Sequence, residues 1–301
     1  MPSHVWLALA CACGFACNAL LGKILLRYRL CDAGLITWGT WTSAGVFGAI
    51  VWVFARPAFP AGAAVPLFAL AVCLIVSSWL QNLALQEGDA SLVVPVTGIK
   101  SPMAALLAWP ILGERYGSPV YLAVVLSAMA TVAFGLGRQE RAQGGRGHHP
   151  ALALALIASA SLGFAFSDQF AKLSLAATVP LGLAVWAPMV TGGLSLPFLF
   201  HPHYRQYRIG PLDVLLLCLA GGVLVGSVLA LYFAFERAGG VTVPNVILGA
   251  RGFFVIVVGA ALGRLLPIPL ERQRWPIYAL RALGTALFLG AIVLVSLASA
   301  R

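Results

Sequence analysis

The chain has 301 residues, of which 61% are hydrophobic and only 9% are Asp, Glu, Lys or Arg. Soluble domains are about 25% charged, so this composition excludes an ordinary soluble fold, whose surface so few charges could not cover. The formal net charge is +10, but the basic residues are spread through short loops, which argues against a nucleic-acid partner. The composition therefore predicts an integral membrane protein surrounded by a lipid bilayer.

Ten apolar segments follow one another along the chain. Each is close to the roughly 20 residues that a helix needs to cross a bilayer, and the connections between them are short. They cover residues 5–26, 34–54, 65–86, 91–112, 120–137, 151–172, 180–200, 212–235, 241–263 and 276–298. We therefore expect an all-α polytopic protein of the inner cell membrane with ten transmembrane helices.

A polar segment, residues 138–150, divides the ten segments into five and five. The units on either side, residues 1–137 and 151–301, share a sequence repeat. GFACNALLGK, which begins at Gly14, returns as GFAFSDQFAK, which begins at Gly163, an offset of 149 residues. Because each unit has an odd number of segments, the second would enter the membrane from the opposite side. The sequence therefore predicts two inverted five-helix repeats, with a substrate site at the repeat interface as in many secondary transporters.

One stretch resembles a known family signature. The sequence QEGDASLVVPVTGIKSPMAALLAWPILGERYG, at Gln86–Gly117, is similar to the signature of the drug/metabolite transporter superfamily, in the EamA-like branch of ten-span permeases. The similarity rests on a small-residue turn at Gly88–Ser91, on Pro95 within the fourth segment and on the closing Gly113–Arg115. The second copy is degenerate, because Gly263–Arg264 lacks the glutamate. The resemblance implies a basket of ten helices around a central cavity that moves metabolites or drugs, often outward.

Two basic residues, Lys100 and Arg251, lie near the centres of segments 91–112 and 241–263, at equivalent positions of the two units. Charged groups at membrane depth are costly and usually face a cavity or a partner. Prolines and glycines stand beside both, and disturbed helices at symmetry-related positions indicate a binding site. The alternative is that each cation caps loose carbonyls or pairs with Asp168. We expect both to bind the negative part of a substrate.

Asp168 is the carboxylate that lies well inside a predicted span, and Lys172 follows it one helical turn later. An intrahelical ion pair between the two is one interpretation of this spacing. The other is a coupling role, in which Asp168 takes up and releases a proton as the cavity opens and closes. The first unit has Ala19 at the aligned position, so only one repeat carries the acid.

Aromatic and amide side chains complete the candidate site. Trp38 and Trp186 are repeat equivalents within predicted spans; they would either pack between helices or form cavity walls beside the two cations. Asn82 and Asn245 are polar groups in apolar surroundings, which either bind substrate or hydrogen-bond a neighbouring helix. We expect these four side chains to contact substrate together with Lys100 and Arg251.

The expected function is a secondary transporter, acting as an exporter, that moves a small metabolite with an anionic group by alternating access. The alternative is a flippase for a lipid or a lipid-linked, phosphate-containing substrate. A membrane-embedded enzyme is disfavoured, because the spans carry no His/Asp, Ser/His or paired-carboxylate set. The sequence also lacks a phosphate-binding loop and a complete metal-ligand set, so we expect neither cofactor nor metal. Both a monomer and a homodimer remain open.

The orientation of the chain is predicted differently by two arguments. Loops on the N-terminal side of the membrane carry five basic residues, and loops on the other side carry eleven. Cytoplasmic loops are usually the more basic ones, so the charge count places both termini outside the cytoplasm. The resemblance to EamA-like permeases implies that both termini are cytoplasmic. We give the charge count precedence because it uses this chain's own residues.

Overall fold

The structure is a computed structural model that describes residues 2–30, 32–88, 93, 96–136, 149–265 and 275–298. In these residues every regular element is a helix. The predicted polar segment 138–150 lies outside the described residues, apart from His149 and Pro150. Pro95, which the family resemblance uses, also lies outside them.

The α-helices of the described residues are numbered here in chain order. They are α1 Ser3–Tyr28, α2 Ala33–Ala55, α3 Ala64–Glu87, α4 Lys100–Leu112, α5 Ser118–Leu136, α6 Pro150–Leu175, α7 Pro180–Leu199, α8 Pro211–Ala238, α9 Thr242–Leu248, α10 Arg251–Leu265 and α11 Trp275–Ala298. Short 3-10 turns at Ala61–Ala63, Thr97–Ile99 and Pro202–Gln206 precede α3, α4 and α8.

The helices confirm the predicted all-α membrane class. Seven helical stretches of the described chain are long and apolar enough to cross a bilayer: Ser3–Leu26, Ala33–Ala55, Ala61–Glu87, Ala151–Leu175, Pro180–Leu199, Pro211–Ala238 and Thr242–Gly259. They coincide with seven of the ten predicted segments. Shorter apolar helices at Ser118–Ala133 and Leu283–Leu297 fall in two of the other three, 120–137 and 276–298, and the third, 91–112, includes residues outside the described part. The number of ten spans therefore stays a prediction.

Helices of the first half of the chain, residues 2–136, pack mainly on helices of the second half, residues 149–298. Helix α1 packs on α8 and α10, and in the corresponding way α6 packs on α3 and α4. Helix α2 packs on α7, and α5 packs on α11. The core is therefore built between the two halves.

Glycines bring these helices into close contact. A Cβ atom on Gly14 of α1 would lie 2.1 Å from Oγ of Ser227 in α8, and a Cβ atom on Gly163 of α6 would lie 2.2 Å from Oγ of Ser77 in α3. The same geometry thus occurs at two positions related by the sequence repeat. A close contact between backbone atoms joins α2 and α7, where a Cβ atom on Gly192 would lie 2.7 Å from the carbonyl oxygen of Trp41.

Regular α-helical hydrogen bonding is interrupted just before each of the two central cations. Lys100 is the first residue of α4 and follows the 3-10 turn Thr97–Ile99, while Arg251 is the first residue of α10 and follows a turn at Gly249 and Ala250. The N–H groups of Gly249 and Ala250 donate to carbonyls three residues earlier, at 3.2 and 3.0 Å. Such 3-10 stretches within a helix often mark functional positions.

Candidate functional site

A cavity of about 910 Å³, part of it open to solvent, lies between the two halves of the chain. Its walls come from α1, α2, α3, α4, α6, α8 and α10. The structure places Lys100, Arg251, Asp168 and Asn82 of the predicted site residues on these walls. Residues about 150 positions apart in the sequence therefore line the same cavity.

Lys100 and Asp168 form a buried ion pair in this cavity. The ammonium Nζ of Lys100 lies 2.7 Å from the carboxylate Oδ2 of Asp168, and the two residues are 7% and 3% exposed. Asn245, from α9, donates through Nδ2 to the same Oδ2 at 2.7 Å and to the carbonyl oxygen of Val241 at 3.0 Å. Three helices that are remote in sequence, α4, α6 and α9, therefore meet at one carboxylate oxygen.

Arg251 lies on the wall of the same cavity without a comparable partner. The residue is 9% exposed, and its Nη2 atom is buried and has no hydrogen-bond partner among the described residues. Asp168 neutralises Lys100 at 2.7 Å, so the group of three carries one positive charge in excess. An uncompensated buried charge is strongly unfavourable, and a buried guanidinium favours a carboxylate or phosphate partner. The cavity is therefore suited to an anion.

The predicted interaction between Asp168 and Lys172 is replaced by a different pair. Asp168 contacts Lys100 of α4, whereas the ammonium of Lys172 donates to the carbonyl oxygen of Phe235, near the end of α8, at 3.4 Å. Lys23, the repeat equivalent of Lys172, donates in the same way to the carbonyl of Leu85, near the end of α3, at 2.6 Å. Cations stabilise helix C-termini because the last carbonyls lack partners. Lys172 therefore supports the end of a neighbouring helix.

Trp38 and Trp186 are not walls of the cavity, contrary to expectation. The indole N–H of Trp38 donates to the hydroxyl of Tyr204 at 3.0 Å, in the connection between α7 and α8. The indole N–H of Trp186 donates to the carbonyls of Pro57 and Ala58, at 3.2 and 3.1 Å, in the connection between α2 and α3. Each Trp thus joins its helix to a connection of the other half.

Aromatic residues that the sequence analysis had not assigned to the site line the cavity instead. Phe15 of α1 and Phe164 of α6, which are repeat equivalents, both face it, and Lys100 Nζ lies 5.9 Å from the centroid of the Phe164 ring. Trp41 lines it as well and donates to the hydroxyl of Ser78 at 3.0 Å. The 149-residue offset between Phe15 and Phe164 was the signal that would have identified this pair.

The glutamate of the family signature anchors the short helix that carries Asn245. Glu114, in the connection between α4 and α5, accepts from the backbone N–H of Val241 at 3.2 Å and from the hydroxyl of Tyr116. Burial and the adjacent Glu114 carboxylate both raise the pKa of Tyr116. Val241 directly precedes α9, and its carbonyl holds Asn245. A connection of the first half thus fixes the start of an interrupted helix in the second half.

The described ranges contain no candidate metal site. No three His, Cys, Asp or Glu side chains within those ranges come together as metal ligands. Cys11, Cys13, Cys17, Cys73 and Cys218 are present as free thiols.

Comparison with known proteins supports a transporter. Residues 2–136 match the model of the EamA-like transporter family. A solved structure named "Crystal structure of protein" has 16% sequence identity to the chain and a TM-score of 0.67, with coverage of 97% of this chain and 98% of the other; at this identity the similarity shows the fold alone. No curated protein sequence matches the chain significantly. The family match covers less than half of the chain and shows that residues 2–136 are similar to membrane transporters of the EamA-like family.

Proposed function

We propose that this chain, which carries an EamA-like transporter family domain over residues 2–136, is a secondary transporter of a small anionic metabolite. The substrate would occupy the cavity between the two halves and leave the cell by alternating access across the inner membrane. The observation that carries the proposal is the buried, unpartnered Nη2 atom of Arg251 beside the ion pair of Lys100 and Asp168. The substrate's negative group would contact Arg251 first and Lys100 second.

The charges and the lining of the cavity support this choice of substrate. Two cations and one carboxylate leave one positive charge that a bound monoanion would balance, in surroundings where electrostatic attraction is stronger than in water. The lining combines many apolar side chains with a few charged and amide groups, which is the usual chemistry of small-molecule sites. A lipid or lipid-linked substrate with a phosphate group is the alternative.

Alternating access would use an inverted repeat of two units, residues 1–137 and 151–301, joined by the polar segment 138–150. The packing of α1 on α8 and of α6 on α3 supports this symmetry, because each contact is the repeat equivalent of the other. The matched glycine–serine contacts at Gly14 and Gly163 support it further. Helix packing that can exchange between two equivalent arrangements is the usual basis of such transport.

Asp168 is the group we assign to proton coupling. Its Oδ2 atom binds Lys100 and Asn245, two groups on different interrupted helices. Protonation of Asp168 would release Lys100 for the substrate anion, so proton uptake and anion binding would favour each other. Lys172 would contribute to coupling only through the carbonyl of Phe235, by holding α6 and α8 together.

The proposal is tested by replacing Arg251. We expect Arg251→Gln to lower the affinity for anions about ten- to a hundredfold, because a charge-assisted hydrogen bond is worth roughly 1.5–3 kcal/mol. Arg251→Lys should recover only part of the affinity, since an ammonium cannot form a bidentate contact. The measurement is the rise in melting temperature of the purified protein with inorganic phosphate and with acetate.

Arg237→Gln is the matched control, because it removes the same charge from an exposed position at the end of α8. The control should respond to phosphate and acetate as the wild type does. Equal anion responses of Arg251→Gln and wild type would overturn the proposal and favour a neutral or cationic substrate.

A further inference from the structure

Two walls of the cavity differ in chemistry at equivalent positions of the sequence repeat. On α3 the cavity is lined by Ser78, Gln81 and Asn82, and on α8 it is lined by Val228, Leu231 and Tyr232, each 150 residues later. The same helix faces thus meet the cavity in both halves, but this part of the α3 face is polar and its equivalent on α8 is largely apolar. The other α3 residues on the cavity, Leu70 and Leu74, are apolar as well. The cavity therefore has a polar wall, at Ser78, Gln81 and Asn82, and an apolar wall, at Val228, Leu231 and Tyr232.

The contacts of α1 show that these walls lie at opposite ends of the cavity. Helix α3 runs parallel to α1, because Gly22 lies against Asn82 and Lys23 binds the carbonyl of Leu85. Helix α8 runs antiparallel to α1, because Asn18 binds the carbonyl of Ala220 and Gly14 lies against Ser227. Going from Gly22 to Gly14 along α1 therefore leads away from Asn82 and toward the end of α8 that carries Tyr232.

The charged group belongs to the apolar end. Helix α6 runs antiparallel to α3, since Ala153 lies against Gly88 and Gly163 lies against Ser77. Asp168 is five residues beyond Gly163 and is thus level with the apolar part of α3 that precedes Ser77. Apolar surroundings lower the local dielectric constant and strengthen the attraction of a cation for an anion.

The polar end retains unused hydrogen-bonding capacity. Asn82 donates from Nδ2 to Thr37 at 2.8 Å, and Asn18 donates from Nδ2 to Ala220 at 2.9 Å. The carbonyl oxygen of each amide, and the whole side chain of Gln81, have no hydrogen bond to the described part of the chain. Each carboxamide has two N–H donors and one acceptor oxygen. These three side chains can therefore both donate hydrogen bonds to an uncharged polar group and accept hydrogen bonds from it.

The distance between the two ends limits the length of the substrate. By the antiparallel contacts of α6 and α3, Asp168 is level with Val72 of α3, and Gln81 and Asn82 are nine and ten residues further along that helix. At 1.5 Å per residue the two ends are roughly 13–15 Å apart. Allowing about 3 Å for a hydrogen bond at each end leaves roughly 7–9 Å between the two binding groups of the substrate.

We propose that the substrate is a monoanion that carries an uncharged amide or hydroxyl group at its other end, and that Gln81, Asn82 and Asn18 form a carboxamide subsite for that group. The proposal rests on the proposed anion transport and specifies which anions are selected. Gln81 is the main determinant of specificity, because its amide is uncommitted. Anions whose distal end is apolar leave these amides unpaired and bind less well.

The test compares three probes of similar length. Adipamate has a carboxylate and a carboxamide; 6-methylheptanoate has the same carboxylate with an apolar end of similar shape; adipamide has two carboxamides and no charge. We expect the wild-type protein in nanodiscs to bind adipamate about three- to tenfold more tightly than 6-methylheptanoate. Binding is measured from the rise in melting temperature with ligand concentration.

The variant Gln81→Met, which keeps the length of the side chain, should remove most of that preference, because adipamate loses a partner amide and 6-methylheptanoate no longer leaves that amide unpaired. Leu231→Gln is a second variant, which places a glutamine at the equivalent position on the apolar wall. When it is combined with Gln81→Met, it should not restore the preference for adipamate. Gln206→Met is the control, because Gln206 is exposed in the connection between α7 and α8, outside the cavity.

The outcomes separate this inference from the proposed function. Equal binding of adipamate and 6-methylheptanoate, or a preference unaffected by Gln81→Met, would overturn the carboxamide subsite while anion binding stands. Adipamide binding as tightly as adipamate would instead contradict the proposed anion transport. Failure of adipamate to stabilise the protein would overturn the subsite, and the phosphate response of Arg251→Gln would still test the anion site.

Discussion

At the level of single residues, the position of Asp168 determines how the two cations of the cavity differ. Asp168 lies 2.7 Å from Lys100 and accepts from Asn245, whereas Arg251 keeps a buried Nη2 atom without a partner. Removing one member of a buried ion pair leaves an uncompensated charge. The consequences of mutating Lys100 and of mutating Arg251 should therefore be different in kind.

We expect Asp168→Asn to destabilise the protein by about 3–5 kcal/mol, because it leaves the Lys100 ammonium buried without a counter-charge. Adding Lys100→Gln should restore much of the loss, since the double variant buries no unpaired charge at that position. Melting temperatures of the single and double variants in detergent measure the effect. A double variant no more stable than Asp168→Asn would show that the pair contributes little to the fold.

The same substitution tests coupling. Asp168→Asn should abolish accumulation of anion driven by a pH gradient in proteoliposomes, yet leave anion exchange at equal pH, because the carboxyl no longer exchanges a proton. Normal gradient-driven accumulation in this variant would make Asp168 a structural partner of Lys100.

The sequence predicted Lys100, Arg251, Asp168 and Asn82 as site residues because charged and amide groups are rare in apolar segments, and all four line the cavity. The sequence could not identify whether Asp168 would pair with Lys172 or with Lys100. A separation of four residues favours a contact with Lys172, but side chains from α4 and α6 converge on the cavity and bring Lys100 closer. Local spacing was overridden by packing between helices that are distant in sequence.

At the level of elements, the contact between α2 and α7 is limited by backbone atoms rather than by side chains. A Cβ atom on Gly192 would lie 2.7 Å from the carbonyl oxygen of Trp41 and 2.8 Å from Cα of Gly45. Neither group can rotate away. The neighbouring Gly193 has no heavy atom within 4 Å of its Cβ position, so the two glycines have different roles on one helix.

We expect Gly192→Ala to destabilise the protein by about 1–3 kcal/mol, because the extra methyl group must push α2 and α7 apart. Gly193→Ala is the matched control and should be neutral or stabilising by about 0.5–1 kcal/mol, as expected for alanine replacing glycine within a helix. Thermal unfolding of both variants gives the comparison. Similar melting temperatures would mean that the helices separate without cost.

The interruptions of the helices before Lys100 and Arg251 were predictable from neighbouring prolines and glycines. The close packing of other helices against these interruptions was not predictable. A Cβ atom on Gly249 would lie 2.1 Å from the ring of Phe288, and one on Gly98 would lie 2.4 Å from Oγ1 of Thr131. Glycine is thus required because α5 closely approaches Gly98 and α11 closely approaches Gly249, and both are tertiary contacts. The anchoring of α9 by Glu114 was equally hidden, because the family signature marks a glutamate without showing its partner.

At the level of the whole molecule, the distribution of basic residues predicts the orientation in the membrane. The side of the membrane that holds the connection between α7 and α8 has the larger share of Lys and Arg. Basic loops are usually cytoplasmic. The charge count therefore places the two termini outside the cytoplasm, in disagreement with what the resemblance to EamA-like permeases implies.

We expect a C-terminal fusion to alkaline phosphatase, which is active only outside the cytoplasm, to be active, and a C-terminal fusion to green fluorescent protein to be dark. The opposite pattern would show that the termini are cytoplasmic and that the charge count is a poor guide for this chain. Moving the same reporters to the connection between α7 and α8 should reverse both signals.

The overall architecture was the part most accessible to sequence, because helix length and apolar composition are imposed by the bilayer. The all-α membrane class follows from the composition together with the length of the apolar segments. The cavity walls were less accessible: Trp38 and Trp186 were expected there, but their N–H groups bind connections of the opposite half. Helical periodicity gives the position of a Trp along its helix and does not give the neighbour that it faces.

The unpartnered guanidinium of Arg251 also has a practical consequence for handling the protein. At the proposed anion site, chloride, acetate, phosphate and citrate from purification buffers would compete with the substrate for the same charge, each with its own affinity. An apparent dissociation constant measured in one buffer would then be raised by the occupancy of that buffer's anion and would not be transferable to another. Ligand screens on this protein should therefore be compared at one fixed buffer anion.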